Sequence, residues 1–266
     1  MHSRFFSLCL WGSSLLKLDK KAQMCYIIKP RASPANLLYR QASMKNLLKE
    51  QTYSVVIPIA ALLYSTLSFS LAKLLIFWRP HWDMTLAWDA LVPFLPWTVS
   101  IYLASFVYWY LCFVLTSRQQ REKADSFFCA HMLMVTLSFL CFILLPTTME
   151  RPAVTGGGFW NWLMRVVYWV DSPENLFPSL HCSTAWLCWV GMRRRKDLPL
   201  WLRTLVLLLS IAVCVSTLTT RQHVLADVAS GIALAEACSL LGAVPRLRAR
   251  YSRLVDAILR RFVPAD

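Results

Sequence analysis

Charged side chains are scarce in this chain of 266 residues. Asp, Glu, Lys and Arg make up 16% of it, whereas hydrophobic residues make up 57%. The charges stand in clusters between long apolar runs, and several runs reach the length of about 20 residues that a helix needs to cross a bilayer. This composition excludes an ordinary soluble domain and predicts an integral membrane protein.

Acidic residues are half as numerous as basic ones, 14 against 28, which gives a formal net charge of +14. Such an excess can indicate nucleic-acid binding, but the sequence lacks a soluble domain on which a basic face could form. Lys and Arg gather instead in short connections beside the apolar runs, as in the cytoplasmic loops of membrane proteins. We therefore expect no nucleic-acid partner.

The nine cysteines show no framework spacing, no CxxC motif and no zinc-binding pattern. Most of them lie inside apolar runs, where free cysteine behaves as a small hydrophobic residue. The sequence therefore predicts no disulfide, no metal site and no cofactor. The apolar runs also lack an internal repeat of the kind found in secondary transporters, which argues against a transporter.

The apolar runs predict an all-α fold, a polytopic membrane bundle with six transmembrane helices. The predicted spans are residues 52–78, 92–117, 126–146, 178–192, 200–219 and 223–243. Lys73, near the end of the first span, is expected to reach the membrane interface. The aromatic stretch 159–170 is too short to span and is predicted to lie on the membrane surface.

Three domains are predicted: a basic N-terminal tail at 1–50, the membrane domain at 51–245 and a basic cytoplasmic C-terminal tail at 246–266. The first tail resembles a weak signal sequence but lacks a cleavage site with small residues. It is either a disordered or interfacial tail, or translation begins at Met24 or Met44.

The positions of the basic clusters predict the topology. With six spans they fall on one side, which the positive-inside rule assigns to the cytoplasm together with both termini. The basic segments are the N-terminal tail and residues 118–125, 193–197 and 246–261. The connections on the opposite, extracytoplasmic face are residues 79–91, 147–176 and 217–223.

Two polar stretches on that opposite face, 177–188 and 216–231, hold two of the five histidines. His223 and Asp227 are four residues apart at the start of a helix, so they share one face, where a carboxylate fixes the tautomer of the ring. His181 follows Ser179 at the opening of another helix, where free backbone N–H groups attract anions.

Arg151 and Arg221, on the same face, are permanent cations suited to phosphate oxygens. The set predicts a phosphoryl-transfer site without a metal, in which one histidine attacks phosphorus and the other protonates the departing oxygen. Each element also has a plainer explanation. A His–Asp pair at this spacing is often a surface contact, and Ser179 suits a helix cap.

The order and spacing of these residues resemble the type 2 phosphatidic acid phosphatase (PAP2) superfamily, whose motifs can be written K-x6-R-P, P-S-G-H and S-R-x5-H-x3-D. The first motif is represented by Arg151 and Pro152, with Leu144 at the position of its lysine. The second appears as PSLH at 178–181, with Leu180 in place of the glycine.

The third motif aligns Ser216, His223 and Asp227, with Thr217 at the position of its arginine and Arg221 two residues before the histidine. This ending, together with PSLH, resembles the branch that contains many bacterial membrane members and the inositolphosphorylceramide synthases. The superfamily also includes vanadium haloperoxidases, but these are soluble, so a haloperoxidase is not expected.

The resemblance covers roughly residues 89–240 and implies a six-helix membrane core with an active site at the extracytoplasmic surface. It implies that His223 is the nucleophile that forms a phosphohistidine, that Asp227 orients it and that His181 is the general acid. The residues implied to hold the substrate phosphate are Arg151, Arg221, Ser179 and Ser216.

We therefore expect a metal-independent lipid phosphatase of the bacterial cell membrane. Its substrate would be a lipid phosphomonoester or diphosphate, such as phosphatidic acid or a polyprenyl diphosphate. One alternative is a phosphotransferase that passes a phospho-head group to a lipid hydroxyl, as inositolphosphorylceramide and sphingomyelin synthases do. Another is a non-catalytic protein that keeps the fold, because two motif cations are absent. The motifs specify neither the lipid nor the oligomeric state.

Overall fold

A computed structural model describes residues 34–261 of the chain, with side chains from residue 50 onward. The bundle described below belongs to the part of the chain that begins at Leu47. The prediction of a mostly helical protein is confirmed. The α-helices are α1 (Pro34–Ile76), α2 (Val99–Ser117), α3 (Arg121–Leu144), α4 (Phe159–Val170), α5 (Leu180–Met192), α6 (Leu200–Thr219), α7 (Leu225–Gly242) and α8 (Pro245–Leu259).

Five helical segments of the described chain are long and apolar enough to cross a membrane. They are Glu50–Ile76, Pro96–Ser117, Arg121–Leu144, Leu200–Thr219 and Leu225–Gly242. Each overlaps a predicted span, because hydropathy and length are local properties of the sequence. These segments support an integral membrane protein.

The predicted fourth span does not reach spanning length. Helix α5 has 13 residues, which at 1.5 Å per residue is about 20 Å, short of a hydrocarbon core of about 30 Å. It packs against α2, α3, α6 and α7. Its buried face includes Ala185, Leu187 and Cys188. The count of six spans is therefore not confirmed, and α5 is an internal helix of the bundle.

The two predicted tails are described in part. Residues 1–33, including Met24, lie outside the described residues, and residues 34–50 belong to α1. Most of the predicted C-terminal tail forms helix α8, which buries Tyr251, Val255 and Leu259 at helical spacing against the bundle. Residues 262–266 again lie outside the described part.

Helices α5 and α7 approach each other closely at Gly231. A Cβ atom added to Gly231 would lie 2.7 Å from the carbonyl oxygen of Ser179 and 3.3 Å from the backbone nitrogen of Ser183. One turn earlier in α7, the carbonyl of Asp227 accepts a hydrogen bond from the backbone N–H of Ser179 at 3.1 Å. The glycine therefore lets the first turn of α7 lie against the first turn of α5.

Three connections meet at the end of the bundle where α5 and α7 begin. Strand β1 (Trp82–Asp83) pairs in parallel with strand β2 (Thr147–Thr148). The hydroxyl of Thr147 accepts hydrogen bonds from the backbone N–H groups of Leu176 and Phe177, both at 3.0 Å. The connections after α1, after α3 and before α5 are therefore joined to one another.

The basic connections meet at the other end. Arg193, after α5, forms two bonds to Glu236 of α7, at 2.6 and 2.8 Å. Arg195 donates to the carbonyl of Leu115 near the end of α2 at 2.9 Å. These contacts place residues 193–197 beside the ends of α2 and α7, whereas the predicted grouping of all the basic segments on one side of the membrane stays a prediction.

Replacing Gly231 with alanine is expected to lower the free energy of unfolding by about 1–3 kcal/mol, because the new methyl group would force α5 and α7 apart. Thermal unfolding of the purified protein in detergent measures this. Gly157→Ala is the matched control, since its Cβ would meet no atom within 4 Å. Equal melting temperatures for the two variants would contradict the close contact.

Candidate functional site

A cavity of about 680 Å³ ends at the two predicted catalytic histidines. Helices α1, α2, α4 and α5 line it, mostly with apolar side chains such as Phe106 and Val166. Its wall on α1 extends from Leu62 to Lys73, which corresponds to about 16 Å along the helix axis. The cavity is thus a long apolar cleft with its ionisable groups at one end.

The imidazole of His181 lies in a cage of three aromatic rings from α2. Tyr102 stacks on it with ring centroids 4.4 Å apart, and Trp109 and Phe106 follow at 5.1 and 5.7 Å. The three rings share one helix face because they are four and three residues apart. Atom Nε2 of His181 is buried and has no hydrogen-bond partner among the described residues. The cage fixes the ring and leaves Nε2 for a ligand.

His223 lies beside His181, with 6.1 Å between the two ring centroids. Its Nδ1 is 3.3 Å from Oδ2 of Asp227, which also accepts the backbone N–H of Val224 at 3.0 Å. A neutral imidazole that donates its Nδ1 proton to Asp227 keeps an unprotonated Nε2. The structure therefore brings His181, His223 and Asp227 together, and their predicted catalytic roles stay predictions.

The pKa of His223 lies above its ordinary value of 6.5. Burial acts in the opposite direction, because it disfavours the charged imidazolium. The hydrogen bond to Asp227 and the negative charge of that carboxylate outweigh burial, and Asp171 adds a smaller effect of the same sign. His223 therefore binds a proton more readily than a free histidine does.

Arg151 holds the segment that carries His223. Its guanidinium donates to the side-chain oxygen of Gln222 at 2.6 Å, to the carbonyl of Arg221 at 3.2 Å and to the carbonyl of Asp171. It also stacks over the ring of Tyr168, 4.8 Å from the centroid. These contacts surround Arg151 with protein groups behind the cavity wall, and its predicted contact with phosphate stays a prediction.

Gln222 is a candidate that sequence reasoning missed. It lines the cavity next to His223, and its Oε1 is occupied by Arg151. Its Nε2 is buried without a hydrogen-bond partner among the described residues. The amide is therefore oriented with a free donor, which suits a phosphate oxygen. No sequence pattern singles out this glutamine, since the family motif leaves its position open.

Arg221 contacts the connection before α2. Its two terminal nitrogens donate to the carbonyls of Asp89 and Val92, at 2.8 and 2.6 Å. The carboxylate of Asp89 accepts the backbone N–H of Leu225 at 2.7 Å and so caps the start of α7. Phosphate binding by Arg221 stays a prediction, and it would use guanidinium N–H groups other than the two in these contacts.

Ser179 and Ser216 both bond to backbone groups nearby. The hydroxyl of Ser179 accepts the N–H of Cys182 at 3.2 Å, which is an N-cap of α5. The hydroxyl of Ser216 donates to the carbonyl of Val213 at 2.8 Å. Both side chains are buried and neither lines the cavity. Their predicted roles in phosphate binding stay predictions.

The two motif positions without a cation differ in their exposure. Leu144 is 75% exposed at the end of α3. Thr217 is buried, with its hydroxyl 3.3 Å from the sulfur of Cys182. A cation is nevertheless present in the cavity wall, because Lys73 extends there from α1 and lies 3.3 Å from the carboxylate of Asp171.

A sequence model of the PAP2 superfamily matches residues 71–241 of the chain. No curated protein and no solved structure matches the chain significantly. The protein therefore belongs to the PAP2 superfamily, and this membership indicates activity of the phosphatase or phosphotransferase type. The motif resemblance is confirmed at the level of the superfamily, while similarity to the inositolphosphorylceramide synthase branch is not.

The substitution Asp227→Asn is expected to lower the pKa of His223, because it removes the carboxylate that favours the imidazolium. A pH titration of the histidine ring signals by NMR, on ¹⁵N-histidine-labelled protein in detergent, measures this. Asp83→Asn, on β1 outside the cavity wall, is the control and should leave the value unchanged. An unaltered titration in Asp227→Asn would refute this electrostatic pairing.

Proposed function

We propose that the protein is a lipid phosphatase that hydrolyses a lipid phosphomonoester or diphosphate in the membrane. The observation that carries the proposal is the pair His181 and His223, 6.1 Å apart by ring centroids, at the end of a long apolar cavity. The histidines suit phosphoryl transfer, and the cavity suits a hydrocarbon chain attached to the phosphate. Superfamily membership supports the same class of activity.

In the first proposed step, Nε2 of His223 attacks the phosphorus while Asp227 accepts the hydrogen bond from Nδ1. The bond between phosphorus and the lipid oxygen breaks. His181, which starts the step as an imidazolium, gives a proton from Nε2 to the departing oxygen, so that a phosphomonoester loses a neutral alcohol and a diphosphate loses a lipid monophosphate. The free Nε2–H of Gln222 would donate to a phosphate oxygen whose charge grows during the step.

In the second proposed step, His181 acts as a base and takes a proton from water. The water oxygen attacks the phosphorus of the phosphohistidine, and the bond to Nε2 of His223 breaks. Inorganic phosphate leaves and both histidines return to their starting states. The aromatic cage around His181 would keep its ring in place while the ring loses and regains its proton.

We also propose that the end of the bundle with this site faces the extracytoplasmic side. The basic connections lie at the opposite end, where the positive-inside rule puts the cytoplasm. Helix α5 would provide the sixth crossing of the membrane, and its ends would be surrounded by neighbouring helices and connections instead of lipid. Such short helices are tolerated where protein surrounds them.

A phosphotransferase is the second candidate, and the apolar character of the cavity favours it. Leu180, at the position of the motif glycine, lines the cavity, and Nε2 of His181 is buried. A lipid hydroxyl could reach the phosphohistidine along this apolar wall, where water is sparse. The chemistry would be unchanged except that His181 would activate the lipid hydroxyl instead of water.

His223→Ala is expected to reduce phosphate release from lipid phosphates by about 10³-fold or more, because it removes the nucleophile. The assay uses a panel of lipid phosphates in detergent, with a chelator present, since the proposed mechanism uses no metal. His81→Gln, outside the cavity wall, is the control and should retain activity. Undiminished release by His223→Ala would rule out the assigned nucleophile.

Product analysis distinguishes the two candidate functions. We expect a labelled lipid phosphate, incubated with the protein and an excess of a second lipid alcohol, to yield free inorganic phosphate as the main product. Thin-layer chromatography and phosphate counting measure both products together. A new labelled phospholipid in place of free phosphate would establish the phosphotransferase and reject the phosphatase.

A further inference from the structure

Lys73 is a charged residue in an apolar membrane span. Lysine inside such a span is costly and commonly has a functional partner. Its side chain is only 21% exposed, and its Nζ lies 3.3 Å from Oδ1 of Asp171, in the segment between α4 and α5. It also lies over the ring of Phe69, 5.4 Å from the centroid. The ammonium therefore has partners within the protein, and its predicted reach to the membrane interface stays a prediction.

Asp171 connects Lys73 to the histidine pair. Its second carboxylate oxygen lies 3.4 Å from the hydroxyl of Tyr102, the ring that stacks on His181. Its main-chain carbonyl accepts a bond from Arg151. Lys73, His181 and His223 line the same cavity, so the ammonium and both imidazoles face one space.

The other cations near the site are already engaged. The guanidinium of Arg151 bonds to Gln222 and to two main-chain carbonyls, and that of Arg221 bonds to two more. Neither lines the cavity. Among the described residues of the cavity wall, Lys73 is the one lysine or arginine. A phosphate that enters this cavity would therefore meet the ammonium of Lys73 in the cavity wall.

We propose that Lys73 binds the substrate phosphate and replaces the cations that the family motifs have at positions 144 and 217. This proposal rests on the proposed function. In the empty site the ammonium pairs with Asp171, and an arriving phosphate takes the place of that carboxylate. An ammonium on a flexible stem with three donors is suited to such an exchange. No covalent bond changes in this step.

The rival explanation is that Lys73 and Asp171 form a purely structural salt bridge between α1 and the connection before α5. A structural salt bridge needs both partners. Loss of either charge would then lower the free energy of unfolding equally and would leave the affinity for phosphate unchanged. A phosphate ligand behaves differently. Loss of Lys73 weakens phosphate binding, whereas loss of the Asp171 charge removes a competitor and leaves binding as tight or tighter.

The test measures the dissociation constant of inorganic phosphate on the purified full-length protein in detergent, by equilibrium dialysis. Lys73→Met is expected to weaken binding by about 10- to 100-fold, the loss expected for a hydrogen bond to a charged group. Lys73→Arg should retain most of the affinity, and Asp171→Asn should bind at least as tightly as the wild type. The matched control is Arg79→Met, a cation just beyond α1 that contacts Ile143 outside the cavity.

The proposal is overturned if Lys73→Met binds phosphate as the wild type does, or if Asp171→Asn binds it more weakly. Absence of phosphate binding by the wild type overturns it as well. Melting temperatures of all variants are recorded, and Lys73→Gln takes the place of Lys73→Met if the latter does not fold. Lipid phosphate hydrolysis is measured on the same wild-type sample. A protein that binds phosphate through Lys73 but releases none from lipids would refute the proposed function and not this inference.

Discussion

The hydrogen bond from the backbone N–H of Ser179 to the carbonyl of Asp227, at 3.1 Å, joins the first turns of α5 and α7. The candidate site depends on this contact, because His181 lies two residues after its donor and His223 lies four residues before its acceptor. Gly231 makes the approach possible by presenting no side chain to the Ser179 carbonyl. A short helix buried in the bundle can thus position a histidine that a freely placed membrane span could not.

A second constraint fixes the connection that carries His223. The backbone at Arg221 has a φ of 53°, in the left-handed region that is unfavourable for a residue with a side chain. Bonds from Arg151 to Gln222, from Tyr168 to the carbonyl of Thr220, and from Arg221 to Asp89 hold this conformation. Buried polar groups need such partners, and a connection held at many points can keep an imidazole in one orientation.

Much of the fold could be predicted because apolar length is visible locally, as the agreement at 200–219 shows. The predicted fourth span, at α5, stays unconfirmed, because an apolar run between Pro178 and the basic cluster does not reveal whether lipid or protein surrounds it. The histidines and Asp227 could be found from spacing within one segment. Lys73 could not, because its partner Asp171 is 98 positions away. Only folding brings them together.

Several charged groups around the empty site have partners within the protein. Lys73 pairs with Asp171, His223 with Asp227, and Arg151 with oxygens of the protein. Ionisable groups can stand at the end of an apolar cavity only if they are paired, since an isolated buried charge is costly. A phosphate entering such a site must therefore exchange partners with groups already present. This chain lacks the lysine and the arginine of the family motifs. A lysine from a different helix can bind the phosphate in their place, because binding depends on where the positive charge lies and not on which helix supplies it.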